Sequence, residues 1–226
     1  MVAAAHAIVA DLAAPCLDAD DRHHLERVLR LRVGACVTVA DGEGGWLRCS
    51  LGPSGRLDQD GEVNHQRRAV PSITVAFAVT KGERPELAVQ KLTELGVDRI
   101  IPFTATRSVA RWEGERAVRH IERLRRVARG AAVQSRRAWL PEITELSDLE
   151  ALLGSAEVAL ADPDGAPPSL GRPTIVVGPE GGFTSEERAM AGSTVRLGPL
   201  VLRAETAAIA AGAILVALRS GVARPA

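Results

Sequence analysis

A chain of 226 residues with 46% hydrophobic content is long enough for one large domain or for a small one joined to a medium one. Its 28 basic and 28 acidic residues cancel, so overall charge gives no sign of a polyanionic partner. Three cysteines, Cys16, Cys36 and Cys49, are odd in number and form no CxxC pair, which argues against a disulfide framework and for a reduced cytoplasmic protein with buried thiols.

The first residues, "MVAAAHAIVADLAAP", are apolar but lack a basic leader and carry Asp11, unlike a signal peptide. "DADDRHHLERVLRL" predicts a helix with Leu25, Val28 and Leu29 on one face. "ACVTVADGEGGWLRCSL" predicts a strand, a turn at Asp41 to Gly45 and a second strand, and turn residues at 52–55 continue a β-meander. This reads as a small barrel-like module ending near "QRRAVPS", at residues 66–72. "ITVAFAV" is then a continuous apolar run, as in a strand covered on both faces. A helix is expected from about Glu83 to Leu95, stopped by Gly96. "RIIPFTA" is the next strand, and an Arg-rich helix runs from about Gly114 to Ser135. "EVALAD", "TIVVGPEGG" and "TVRL" predict three more strands, and a last helix covers about Arg203 to Arg219. Its apolar run from Ala207 to Leu218 is shorter than the roughly 20 residues that a bilayer requires. Strands alternating with helices indicate an α/β domain with a mostly parallel sheet, whose ligands bind beyond the carboxyl ends of the strands.

Four segments could carry chemistry. "VVGPEGGFTSEE" passes from a strand through Gly178, Pro179, Glu180, Gly181 and Gly182 to a helix whose start is marked by the capping-box spacing of Thr184 and Glu187. The loop is a tight turn or a cradle of backbone amides for a ligand. It has no phosphate-binding lysine. "LGPLVLRAET" makes a similar passage, with Arg203, Glu205 and Thr206 at a helix start. The helix that follows is apolar all round and should be fully buried, in its own core or in a dimer. In the helix after Lys81, Gln90, Lys91 and Glu94 can share one face, either a solvated salt-bridged surface or a functional one. Arg116, Arg119, Arg123 and Arg126 also line one face. Between Arg107 and Arg137 ten arginines meet three glutamates, an excess that favours nucleic-acid phosphate over a merely solvated row. "HHLE" is not a zinc motif, and no GxSxG or Cys–His pair suggests a nucleophile.

"KGERPELAVQKLTELGV", "VVGPEGGFTSEE" and "LGPLVLRAET", in that order, resemble the signature blocks of bacterial 16S rRNA uridine-N3 methyltransferases, members of the SPOUT superfamily. "HHLERVLRLRVGACVTVADGEGGWLRC" resembles that family's N-terminal PUA-like, RNA-binding barrel. The likeness spans about residues 20–219. It implies a PUA-like β-barrel over 1–69 and, over 70–226, an α/β SPOUT domain with a C-terminal trefoil knot. It also implies S-adenosyl-L-methionine as methyl donor, a working homodimer, and 16S rRNA of the small ribosomal subunit as partner.

By matching position, cofactor is expected on Gly178, Pro179, Glu180, Gly181 and Gly182, on Leu197, Gly198, Val201 and Leu202, and on Ala161 beside Asp162. Arg203 and Glu205 are expected to carry the chemistry, with Glu205 either accepting the uracil N3 proton or, by preference, orienting Arg203. Lys81, Arg107, Arg116, Arg119, Arg123, Arg126 and Arg137 are expected on RNA. Trp46 and Trp112 are placed to stack on bases and equally to pack in the core. Val133 departs from the family pattern, which often has Glu there. The rival readings are a SPOUT methyltransferase acting on another base or on ribose, and a non-catalytic RNA-binding assembly factor.

Overall fold

The structure, a computed structural model, describes residues 3–154 and 156–224. The chain divides into two compact units, Met1–Arg68 with Arg129–Leu140, and Ala69–Ala128 with Pro141–Ala226.

The first unit is built on a five-stranded sheet. Its strands are β1 (Ala5–Ile8), β2 (Cys36–Ala40), β3 (Gly45–Leu51), β4 (Leu57–Gln59) and β5 (Asn64–His65). β1 runs parallel to β2, while β3 pairs antiparallel with β2, β4 and β5. The β2–β3 hairpin opposes Val37 to Cys49 and Val39 to Leu47, all four fully buried. β1 falls in the opening apolar stretch, where the sequence carries no alternation that marks a strand. The expected helix is split into α1 (Ala19–His23) and a π-type turn over His24–Val28. Leu25 is buried there, but Val28 and Leu29 are exposed. Of the thiols only Cys49 is buried. Burial pushes it up to about 11, while Cys16 is exposed and Cys36 half-buried.

Arg129 to Leu140 completes this unit. Arg129 bonds Asp21 at 2.7 Å, Asp18 at 3.0 Å and the Ile8 carbonyl at 2.9 Å. Val133 packs with Ala138 and Leu140 against Ile8, Ala40 and Trp46. An apolar residue therefore suits the place where the family pattern favours Glu, and Trp46 is part of this packing.

The second unit is a seven-stranded parallel sheet, ordered β12-β10-β11-β6-β7-β8, with β9 also on β7. Its elements are β6 (Thr74–Ala78), α2 (Arg84–Leu95), β7 (Arg99–Thr104), α3 (Gly114–Ser135), β8 (Glu142–Ile143) and β9 (Ser147–Asp148). They continue with α4 (Leu149–Leu153), β10 (Val158–Ala166), β11 (Thr174–Val177), α5 (Ser185–Met190), β12 (Thr194–Val195) and α6 (Ala204–Arg219). β8, β9 and α4 were not foreseen, being too short for a period to register.

β6 is buried along its whole length. Alternation sends Val75 and Phe77 into a core with Leu92, Ile121, Leu124 and Leu215, and Ala76 and Ala78 into another with Ile101, Phe103, Leu160 and Val176. Each fully buried large side chain contributes about 1.5–3 kcal/mol. Trp112 is buried in the first core and stacks on His120, with ring centroids 4.4 Å apart, so its face is taken by packing. α6 buries one stripe, Ala204, Ala208, Ala211, Gly212 and Leu215. Ile209, Ala210, Ala213 and Ile214 stay half-buried. Of the two places left open for this helix, its own core and a dimer, its own chain therefore buries only one face. At its end Arg219 and Asp98, both under a tenth exposed as side chains, form an ion pair. Arg219 also donates to the Gly96 and Pro71 carbonyls, and Asp98 accepts from the Ile73 amide.

Candidate functional site

β11 ends at buried Val177, and the chain turns sharply through 178–182 before α5. A Cβ at Gly178 would lie 2.7 Å from the Phe183 ring, and Gly182 has φ +68°, so the turn closes only with glycine at these places. The Gly182 amide donates to the Pro179 carbonyl at 2.8 Å. Thr184 and Glu187 form the expected capping box: the Glu187 amide donates to Thr184 Oγ1 at 3.2 Å and the Thr184 amide to Glu187 Oε2 at 2.8 Å.

Two residues after β7 fix the back of the loop. The Thr106 amide donates to Glu187 Oε1 at 2.8 Å. Arg107 Nη1 donates to the carbonyls of Gly181 at 3.1 Å and Phe183 at 3.4 Å. Arg107, expected on RNA, thus commits donors to the loop's carbonyls while the residue itself stays exposed. Burial would raise the Glu187 pKa, but the amides of Thr106 and Thr184 outweigh it and hold the carboxyl below its ordinary range.

The front of the loop faces a cavity of about 220 Å³. Gly178, Pro179, Glu180 and Gly182 form one wall, and Leu197, Gly198, Val201 and Leu202 another. Ala161, from β10, contributes a third. Gly181 alone of the expected set is off the wall, backed against Arg107. Asp162 and Arg188 also line the cavity, paired at 3.1 Å, with Asp162 buried. Arg188 carried no motif of its own. Its only sequence signal was its place directly after the capping-box Glu187.

Arg203 is the exposed N-cap residue of α6, with φ −67° and ψ 155°. Glu205 lies in that helix's first turn, its side chain 12% exposed. Glu205 Oε2 is buried and has no hydrogen-bond partner among the described residues. The cation beside it is Arg84, whose Nε is 3.9 Å from Glu205 Oε1 and whose Nη1 is 2.5 Å from Glu180 Oε1. The preferred expectation, that Glu205 orients Arg203, gives way to a Glu180–Arg84–Glu205 bridge. Arg84 carries no motif of its own in the sequence, whereas Lys91 and Glu94 stand at helical spacing. Those two do bond each other, at 2.8 Å, as a half-buried pair.

The arginine row of α3 is on one face, as expected, but unevenly charged. Arg119 pairs with Glu115 at 3.4 Å, and Arg123 with Glu86 at 3.0 Å and Glu83 at 3.6 Å. Arg116 and Arg126 have no ion-pair partner among the described residues. Arg137 lies past the end of α3, in the first unit, where its carbonyl accepts from His6 Nε2.

The profile of an RNA methyltransferase domain matches residues 67–216. The chain belongs to the RNA methyltransferase family. A second profile, an RNA methyltransferase PUA domain, matches residues 17–54 of this methyltransferase. It is 37% identical over 222 residues to the ribosomal RNA small subunit methyltransferase E of Mycobacterium bovis, covering 88% of this chain and 84% of that one. Among solved structures it resembles a Legionella pneumophila methyltransferase in complex with the bound cofactor SAM, with TM-score 0.81, 27% identity, and 96% and 98% of the two chains covered. The Neisseria gonorrhoeae ribosomal RNA small subunit methyltransferase E bound to S-adenosyl methionine gives TM-score 0.79 at 26% identity, covering 96% of this chain and 97% of that one.

Proposed function

We propose that this protein transfers a methyl group from S-adenosyl-L-methionine to N3 of a uridine near the 3′ end of 16S rRNA in the small ribosomal subunit. The observation that carries the reading is the meeting of two loops, 178–182 and 197–202, on one cavity, with Arg203 and Glu205 directly after the second.

The residues present fit the cofactor. The cavity is smaller than the roughly 300–1,000 Å³ of ordinary ligand clefts, so it suits a ligand held partly in the opening. Its walls are mainly backbone and aliphatic groups, which suit an adenosine, and Asp162, Glu180 and Arg188 supply charge for an amino-acid end. Bound there, the cofactor supplies an electrophilic methyl on a sulfonium.

The chain's own residues have three tasks. The clamped loop positions the reactants, which favours transfer by fixing distance and angle. Glu205, whose buried Oε2 has no hydrogen-bond partner among the described residues, is the group we assign to accept the imide proton and make N3 nucleophilic, once entry of the base uncovers it. Arg203, exposed at the helix start, stabilises charge developing on the uracil oxygens. The target base must leave its stack to reach the site.

The half-buried face of α6 and the bare side chains of Leu200 and Val201 support a homodimer. The family resemblance supports a SPOUT knot around the two loops, and residues 1–69, the main part of the first unit, as a PUA-like RNA-binding barrel. The cytoplasm follows from the substrate. No helix among the described residues is long and apolar enough to cross a membrane.

Small subunits from a strain lacking the activity should gain 3-methyluridine when incubated with the protein and cofactor. Nucleoside analysis that finds methylation on ribose or another base would sink the assignment.

A further inference from the structure

The cations of the second unit fall into two groups, those with carboxylate or carbonyl partners and those without. Arg119, Arg123 and Arg107 are engaged, with Glu115, with Glu83 and Glu86, and with two loop carbonyls. The side chains of Lys81, Arg111 and Arg116 have no ion-pair or hydrogen-bond partner among the described residues. These three line a single concavity of about 340 Å³. Its floor is the buried Trp112 ring stacked on His120, and no carboxylate lines it. The acids closest in sequence, Glu113 and Glu115, are outside the lining, and Glu115 already pairs with Arg119.

The three cations come from separate places in the chain. Lys81 follows β6 at the carboxyl edge of the sheet, Arg111 precedes α3, and Arg116 is in its first turn. Like charges gathered round a hollow repel one another, and screening by solvent only weakens the repulsion. The arrangement is relieved when an anion enters. The volume is about ten times the roughly 30 Å³ share of one liquid water, so the hollow takes a phosphate with its flanking atoms. Lysine supplies a point charge and each guanidinium a planar fork of donors for phosphate oxygens.

We infer that Lys81, Arg111 and Arg116 form a phosphate-binding pocket that anchors the backbone of the RNA strand next to the methylated base. The inference rests on the RNA-methyltransferase reading and sharpens it. The anchor is this hollow before α3, where Arg111 was not foreseen, while half of the helical row is neutralised within the fold. A phosphate contact positions the strand and carries no sequence information. Loss of one pocket cation therefore weakens all RNA sequences about equally.

The test is binding of a fluorescent RNA hairpin, taken from the 3′ region of small-subunit rRNA, measured across a salt series. Lys81→Gln, Arg111→Gln and the double variant are compared with wild type and with Arg99→Gln, which removes one surface charge paired with Glu142 elsewhere. Each pocket substitution should weaken RNA about tenfold at moderate salt and lower the slope of log K against log salt by roughly 0.7–1. Arg99→Gln should leave the slope unchanged, and cofactor affinity should hold in every variant. A slope indifferent to both pocket substitutions would overturn the pocket and leave the methyltransferase reading intact. A wild type that binds this RNA with the expected slope yet methylates no rRNA would do the opposite. Inorganic phosphate that binds wild type but not the double variant, with RNA slopes unchanged, would assign the hollow to a small anion and overturn the RNA anchor.

Discussion

Arg84 donates to Glu180 at 2.5 Å, and so ties a residue of the cavity wall to the first turn of α2. The same guanidinium is the nearest cation to Glu205. The pair is about two-fifths exposed on each side, so its direct effect on stability is small, in the range of about 0–1 kcal/mol. Its consequence is positional. Arg84→Ala should lower kcat about tenfold to a hundredfold, because a misplaced carboxylate loses alignment. The cofactor's Kd should change little, and Arg84→Lys should restore part of the rate. Steady-state kinetics with cofactor titration would check this, and an unchanged kcat would remove Arg84 from the site.

Glu205→Gln separates catalysis from folding. The carboxylate is buried with one oxygen lacking a donor, a state that costs the fold about 1–3 kcal/mol. Neutralising it should leave Tm equal or higher while kcat drops by about two orders of magnitude or more. A lower Tm with normal turnover would mean that the carboxylate is structural. Arg203→Ala, at an exposed N-cap, should retain cofactor and lose most turnover.

Acid should loosen the cavity loop through Glu187. Its carboxyl is held below the usual range when folded, by the amides of Thr106 and Thr184 acting against burial. The unfolded chain therefore takes up this proton first. The contribution to stability is complete above the unfolded pKa of about 4.3 and is lost as pH falls through the folded value. Glu187→Gln should flatten that part of the profile of stability against pH, measured by denaturant unfolding in steps from neutral to acid. A profile that overlays wild type would contradict it.

Asp98→Ala should be among the most damaging changes in the second unit. It strands a buried guanidinium and frees the Ile73 amide, for a loss of about 3–5 kcal/mol. Urea unfolding would read this as a lower midpoint. A loss below about 1 kcal/mol would show that water reaches Arg219 readily.

Periodic features were legible in the sequence, and contacts between distant residues were not. Gly114–Ser135 was read at its true bounds because a long amphipathic run averages over local noise. Thr184 and Glu187 announced a helix start through a spacing with one physical meaning. Glycines at 178 and 182 marked a turn for a steric reason that the Phe183 ring makes concrete. The Glu180–Arg84–Glu205 bridge joins residues up to 121 positions apart through charge alone, and charged residues in a helix mostly face solvent. The contacts of Arg107 were hidden for the same reason, since nothing local announces that a guanidinium bonds the carbonyls of a loop 74 residues away. Short pieces such as Glu142–Ile143 exist only because a neighbouring strand supplies their partners.

The first unit borrows part of itself from far along the chain. A fragment ending at Arg68 would keep Asp18 and Asp21 but lose the guanidinium that joins them, and would leave Ile8, Ala40 and Trp46 without Val133, Ala138 and Leu140. A module cut at residue 69, whether expressed alone or grafted onto another enzyme, should therefore be less stable than the same residues in the whole chain. A clean exchange of the module has to carry the second half of α3 with it, because that stretch supplies its missing packing.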